Sequence, residues 1–202
     1  MDYPQFDILE ITPELEYNTN KYQKLKPVKT GESVKHGLPV TVIGALSNFS
    51  NAKALPKLSK VLVVYFYSKH WGNVGLEHLK QLNTIRNETK FYDGKIVVVD
   101  ADGDEDALQQ LLWMHNISLP IHSDANATIA GLFGVFSEHS PTWNFYGGID
   151  VNIPLPATYV TDHDFKVAFS YPNENISNTI PVNEVVDAVY RSNNYLAGKR
   201  SA

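Results

Sequence analysis

Two apolar runs dominate the pattern of the chain. Val61-Leu62-Val63-Val64-Tyr65-Phe66-Tyr67 and Ile96-Val97-Val98-Val99 show no alternation with polar residues, which predicts strands covered on both faces, as in the middle of a parallel sheet. After the first run, Leu76, Leu79, Leu82 and Ile85 recur at helical spacing and predict one helix over about 75–90. After the second, Asp104 can cap a helix whose apolar face holds Leu108, Leu111, Leu112 and His115. Leu119-Pro120-Ile121 reads as a short strand or an extended link, and residues 126–133 as a short helix stopped near Gly134. Residues 157–161 and 166–171 flank a tight turn and predict an antiparallel hairpin. Val182, Val185, Val186 and Val189 form the inner stripe of a last helix, followed by a frayed tail from Tyr195.

The remaining segments are less periodic. Residues 1–37 are polar and punctuated by Pro4, Pro13, Pro27, Gly31 and Gly37, which predicts an irregular arm or peripheral hairpin. Residues 38–46 are apolar and β-prone and read as a peripheral strand; 47–60 read as a loop with weak helical character. Residues 137–154, with Pro141, Gly147-Gly148, Pro154 and the aromatics Trp143, Phe145 and Tyr146, form a long insertion. Loops of this length are usually functional, interface-forming or mobile. The order of elements makes the first half parallel, with right-handed crossovers, and adds an antiparallel hairpin and a covering helix. The expected fold is an α/β sandwich. A central mixed β-sheet is flanked by helices, with an N-terminal arm and an insertion before the last β-hairpin. Residues 1–37 would be the arm, 38–195 the domain and 196–202 the tail.

Composition narrows the function classes. The 202 residues are 43% hydrophobic and 19% charged with a net charge of −5, enough for one sizeable core. Seventeen scattered Lys and Arg do not make the clustered basic face that nucleic acid requires. No apolar run approaches the roughly 18 residues that would span a bilayer. The first residues lack a basic and an apolar region of the secretory type, so a cytoplasmic location is expected, without membrane partners. The triplets at Asn48, Asn87, Asn116, Asn126 and Asn175 then read as by-products of an Asn-rich chain.

The chain has no cysteine, which excludes a disulfide framework, thiolate metal ligands and thiol catalysis. Asp100–Asp106 superficially resembles a calcium loop, but Gly103 stands at position four and Leu111 at position twelve, against the order such loops need. The seven histidines form no His-x-x-x-His pair, so no metal is expected, nor any other cofactor. Ser137-Glu138-His139-Ser140 could supply a nucleophile and a base, but Gly-x-Ser-x-Gly is absent.

Three blocks carry a resemblance. Tyr67, Trp71 and Leu79 sit in register with an apolar strand, a Trp-Cys-Pro-x-Cys turn and a helix, with Gly72, Asn73 and Gly75 where Cys, Pro and Cys would stand. Leu119-Pro120, Ser123-Asp124 and Phe133-Gly134-Val135 form the second block, and Leu155-Pro156-Ala157-Thr158-Tyr159-Val160-Thr161-Asp162 the third. In these blocks the chain resembles the peroxiredoxin family, the AhpC/TSA branch of the thioredoxin superfamily. The resemblance spans about residues 60–191 and implies a thioredoxin-like sandwich.

It also implies what is missing. The family's peroxidatic thiolate attacks the O–O bond, and only Cys offers a soft nucleophile partly ionised near neutrality; Gly72 offers no side chain. Lys69 stands at the position comparable to the family's Thr or Ser hydroxyl, with Ser68 adjacent. The family's orienting Arg follows Asp-Pro-Asp-Tyr, whereas residues 171–179 contain none, and no Arg lies between Arg86 and Arg191. Pro156 corresponds to the family's cis-proline. The helix starting near Gly72–Gly75 would keep free N–H groups and a positive dipole end. His70, Trp71, Asn73 and Pro156 are therefore the expected binding residues, around a vacated pocket for a small anion or a partner protein. The expectation is a peroxiredoxin-like protein that has lost thiol peroxidase activity, forms a homodimer and acts as a binding or interaction module. The alternative is an antioxidant oxidoreductase that works without cysteine.

Overall fold

The computed structural model describes residues 24–34, 58, 60–142, 146–175 and 178–197, the last three by backbone alone. The expected strand over 38–46, the aromatics Trp143 and Phe145, and the tail from 198 lie outside them. Strand β1 (Val61–Tyr67) leads through a 3₁₀ turn (Lys69–Trp71) into α1 (Gly72–Thr84) and α2 (Arg86–Phe91). Then follow β2 (Gly94–Asp100), α3 (Glu105–Met114), β3 (Ile121–Ser123), α4 (Thr128–Leu132), β4 (Ala157–Thr161), β5 (Val167–Pro172) and α5 (Val182–Ala197).

The strands form one mixed sheet in the order β3-β2-β1-β4-β5. β1 runs parallel to β2, with Tyr67 opposite Asp100, and β2 parallel to β3. β4 and β5 add antiparallel rungs. The absence of alternation in β1 has the expected cause: all seven residues are buried. Val61, Val63, Tyr65 and Tyr67 pack with Leu79 and Leu82 of α1, Leu108 and Leu112 of α3, and Val185 and Val189 of α5. Leu62, Val64 and Phe66 face the other way, onto Ile129 and Phe133 at α4 and Tyr159 of β4. The mixed α/β sandwich, thioredoxin-like, is as expected.

Three local expectations are corrected. The single helix over 75–90 is two helices that meet at Ile85 (φ −92°, ψ 1°). Ile85 is buried, and its flanks are tethered: Asn83 Oδ1 accepts from Ser118 N–H, and Arg86 Nη1 donates to the Ser118 carbonyl. These cross-chain bonds hold the kink, and helical periodicity does not register them. His115 does not belong to the apolar face of α3; it is its exposed C-terminal cap. No peptide bond among the described residues is cis, so Pro156 precedes β4 in the trans form. Its carbonyl accepts from Asn173 N–H, continuing the β4–β5 ladder.

Residues 24–34, part of the expected arm, lie along the body as a strap. Val28 N–H donates to the Phe133 carbonyl, Gly31 N–H to Val167 and Val34 N–H to Phe165.

Candidate functional site

The turn after β1 is held by carboxylates. Ser68 Oγ–H donates to Asp102 Oδ1 (2.9 Å) and Lys69 N–H to Asp102 Oδ2 (2.6 Å). Asp102 is placed there by the loop after β2. The buried Asp100 carboxylate, at the end of β2, accepts from the N–H groups of Asp102 and Asp104 in that loop, and Asp104 caps α3 through Ala107 N–H. Lys69 Nζ lies 3.9 Å from Asp104 and His70 Nε2 3.9 Å from Asp102. Burial pushes the Asp100 carboxyl up, with the Asp102 and Asp104 charges adding to it while the two N–H bonds oppose it. Burial, then the charges of Asp102 and Asp100, push the Tyr67 hydroxyl up to about 12. The space between these groups and Lys69 is about 40 Å³. Three carboxylates beside this small space oppose a small anion within it, and Asp102 already takes the Lys69 N–H.

The two glycines differ. Gly72 is exposed, at φ +53° and ψ −130°, and an added Cβ would meet nothing within 4 Å. Gly75 is buried, and a Cβ there would come within 3.0 Å of the Tyr67 ring and 3.3 Å of Trp71 Cβ. A side chain at the second family position would thus press on the Tyr67 ring, which would have to give by a few tenths of an ångström. Helix α1 starts without a side-chain cap.

Of the other expected residues, Trp71 is buried, donates from Nε1–H to the Pro154 carbonyl (3.1 Å) and stands edge-on to Tyr146 (5.3 Å between ring centres). This brings the turn to the stretch just before the buried Pro156. His70 and Asn73 are exposed on the outer side of the turn. Beyond Tyr146, whose hydroxyl donates to the Glu174 carbonyl (2.8 Å), a cleft of about 350 Å³ opens between the strap and the insertion.

A buried polar network escaped the sequence reading. Tyr65 Oη lies 3.0 Å from His78 Nδ1, and His78 Nε2 lies 3.0 Å from the Asn178 carbonyl. A carbonyl can only accept, so Nε2 carries the proton and Nδ1 accepts from Tyr65. Asn173 Nδ2 donates to the same carbonyl (3.0 Å). Burial lowers the His78 pKa, partly offset by its bond to Asn178. The signal was present in the spacing: Gly75, His78, Leu79 and Leu82 share one buried face of α1.

The AhpC/TSA family model matches residues 45–170. No curated protein sequence matches significantly. Among solved structures, peroxidoxin BcpB from Mycobacterium tuberculosis superposes at TM-score 0.55, with 17% identity over 81% of this chain and 97% of that one. A peroxiredoxin-like protein from Aquifex aeolicus gives 0.52, with 20% identity over 66% and 72%. Enterococcus faecalis AhpC gives 0.54, with 15% identity over 72% and 81%. At such identities the likeness bears on the fold.

Proposed function

We propose, from the premise that the chain belongs to the AhpC/TSA family, that it keeps the family scaffold without thiol peroxidase chemistry and serves as a binding or interaction module. The observation that carries this reading is the missing nucleophile: no Cys occurs in the 202 residues. Peroxide reduction in this family needs a thiolate to attack the O–O bond and be oxidised. Neither a hydroxyl nor an imidazole replaces it in that two-electron step. Two further features support the reading. The Gly72 backbone, at φ +53°, is in a region that L side chains rarely adopt. A Cβ at Gly75 would press on the Tyr67 ring at 3.0 Å.

A homodimer, a cytoplasmic location and the division into an arm at 1–37, a domain at 38–195 and a tail belong to the same proposal. Sedimentation equilibrium reads the first and limited proteolysis the last. The central experiment is consumption of hydrogen peroxide and an alkyl hydroperoxide with dithiothreitol or thioredoxin as reductant. The rate is expected to equal that of buffer. Turnover above it overturns the reading in favour of a cysteine-independent oxidoreductase.

A further inference from the structure

We propose that the cleft between the strap and the insertion binds a small zwitterion with an apolar body, of the size of an aromatic or branched α-amino acid. This rests on the reading of the chain as a binding module and names the ligand class. About 350 Å³ lies at the small end of the range for small-molecule sites, about 300–1,000 Å³. The floor and walls are apolar: Leu25, Pro27, Tyr146 and Leu155 line it, and Leu25, Tyr146 and Leu155 join the core on that side of the sheet. The walls are preformed. Tyr146 is fixed by its hydroxyl on the Glu174 carbonyl and by Trp71 at its ring. The strap is pinned by Val28 N–H on the Phe133 carbonyl. It passes so close to Gly134 that a Cβ there would collide with the Lys26 carbonyl.

Two opposite charges line the same cleft, Lys24 and Glu174. Both side chains are exposed, and neither has an ion-pair partner among the described residues. A neutral apolar ligand would leave both charges unused. A plain carboxylate would be opposed by Glu174, and a plain amine by Lys24. A zwitterion matches both, its carboxylate toward Lys24 and its ammonium toward Glu174, with charge-assisted bonds at both ends and its side chain on the apolar wall.

The test is calorimetric titration of the full chain with L-phenylalanine, L-leucine, phenylalanine amide and N-acetylphenylalanine. The free amino acids are expected to bind, and each blocked form to bind about tenfold more weakly. Lys24→Gln and Glu174→Gln alter exposed side chains and keep the fold, checked by circular dichroism. Each is expected to weaken phenylalanine by a similar factor, and Lys24→Gln to strengthen the amide, whose ammonium Lys24 repels. Equal binding of free and blocked forms overturns the assignment, as does indifference to both substitutions or no heat up to about 10 mM. Peroxide consumption is measured on the same sample. Turnover there sinks the binding-module reading itself, whereas no heat without turnover removes the ligand class alone.

Discussion

Gly72 and Gly75 look alike in the sequence and do different things. The motif alone tells that two sulfur positions carry no side chain; it does not tell that one is open to solvent on a left-handed backbone while the other is packed under Tyr67. The difference comes from the sign of φ and from a neighbouring ring, neither of which is written in spacing. It sets a prediction. Because space around Gly72 is free, Gly72→Ala reports backbone strain without a clash, and should cost about 1–3 kcal/mol in urea unfolding. An unchanged midpoint would mean that the turn relaxes to an ordinary conformation at no cost. By the same reasoning a thiol introduced at Gly72 would start from a strained backbone. His78 was legible only as a position: its place on the buried stripe of α1 follows from periodicity. Its partner carbonyl, 100 residues away at Asn178, does not.

At the scale of elements, the two strands of the central pair and their helices were readable because burial on both faces leaves an unbroken apolar run. The sheet's parallel and antiparallel halves follow from connection lengths. The split between α1 and α2 was not readable, since Ile85 keeps the apolar rhythm and the kink is held by Asn83 and Arg86 reaching to Ser118. The strap escaped for a similar reason: its backbone bonds to β5 and to the end of α4 satisfy a segment with no periodic pattern. The carboxylate clasp is another long-range tie, joining the end of β1 to the loop after β2 through Asp102. Asp102→Ala would strip an acceptor from the buried Ser68 hydroxyl and from Lys69 N–H, for a loss of about 1–3 kcal/mol. Faster hydrogen exchange at the Lys69 amide would locate the effect. A stability change without it would place the loss elsewhere.

For the whole molecule, the Tyr65–His78–Asn178 network joins β1, α1 and the segment after β5, so its protonation state bears on global unfolding. His78 is held neutral: its pKa is lowered in the fold by burial, against about 6.5 in an unfolded chain. Below that value the unfolded chain binds a proton that the folded one refuses. Stability from this site is therefore complete above about pH 6.5 and falls as pH drops, by at most about 1.4 kcal/mol per pH unit, until the folded pKa is reached. The proton on Nδ1 would also displace the Tyr65 hydroxyl proton from its acceptor. Asp100 acts with the opposite sign. Its raised pKa makes the folded state take up a proton before the unfolded one, which restores some stability between the folded value and about 3.8. The substitution that separates the two is His78→Gln, whose amide can accept from Tyr65 and donate to the Asn178 carbonyl without titrating. Urea denaturation at pH 7.5 and 5.5 is expected to show a lower stability of the wild type at the lower pH. The variant should lose less, the difference being the His78 share. Equal losses in both proteins would place the acid sensitivity outside this network.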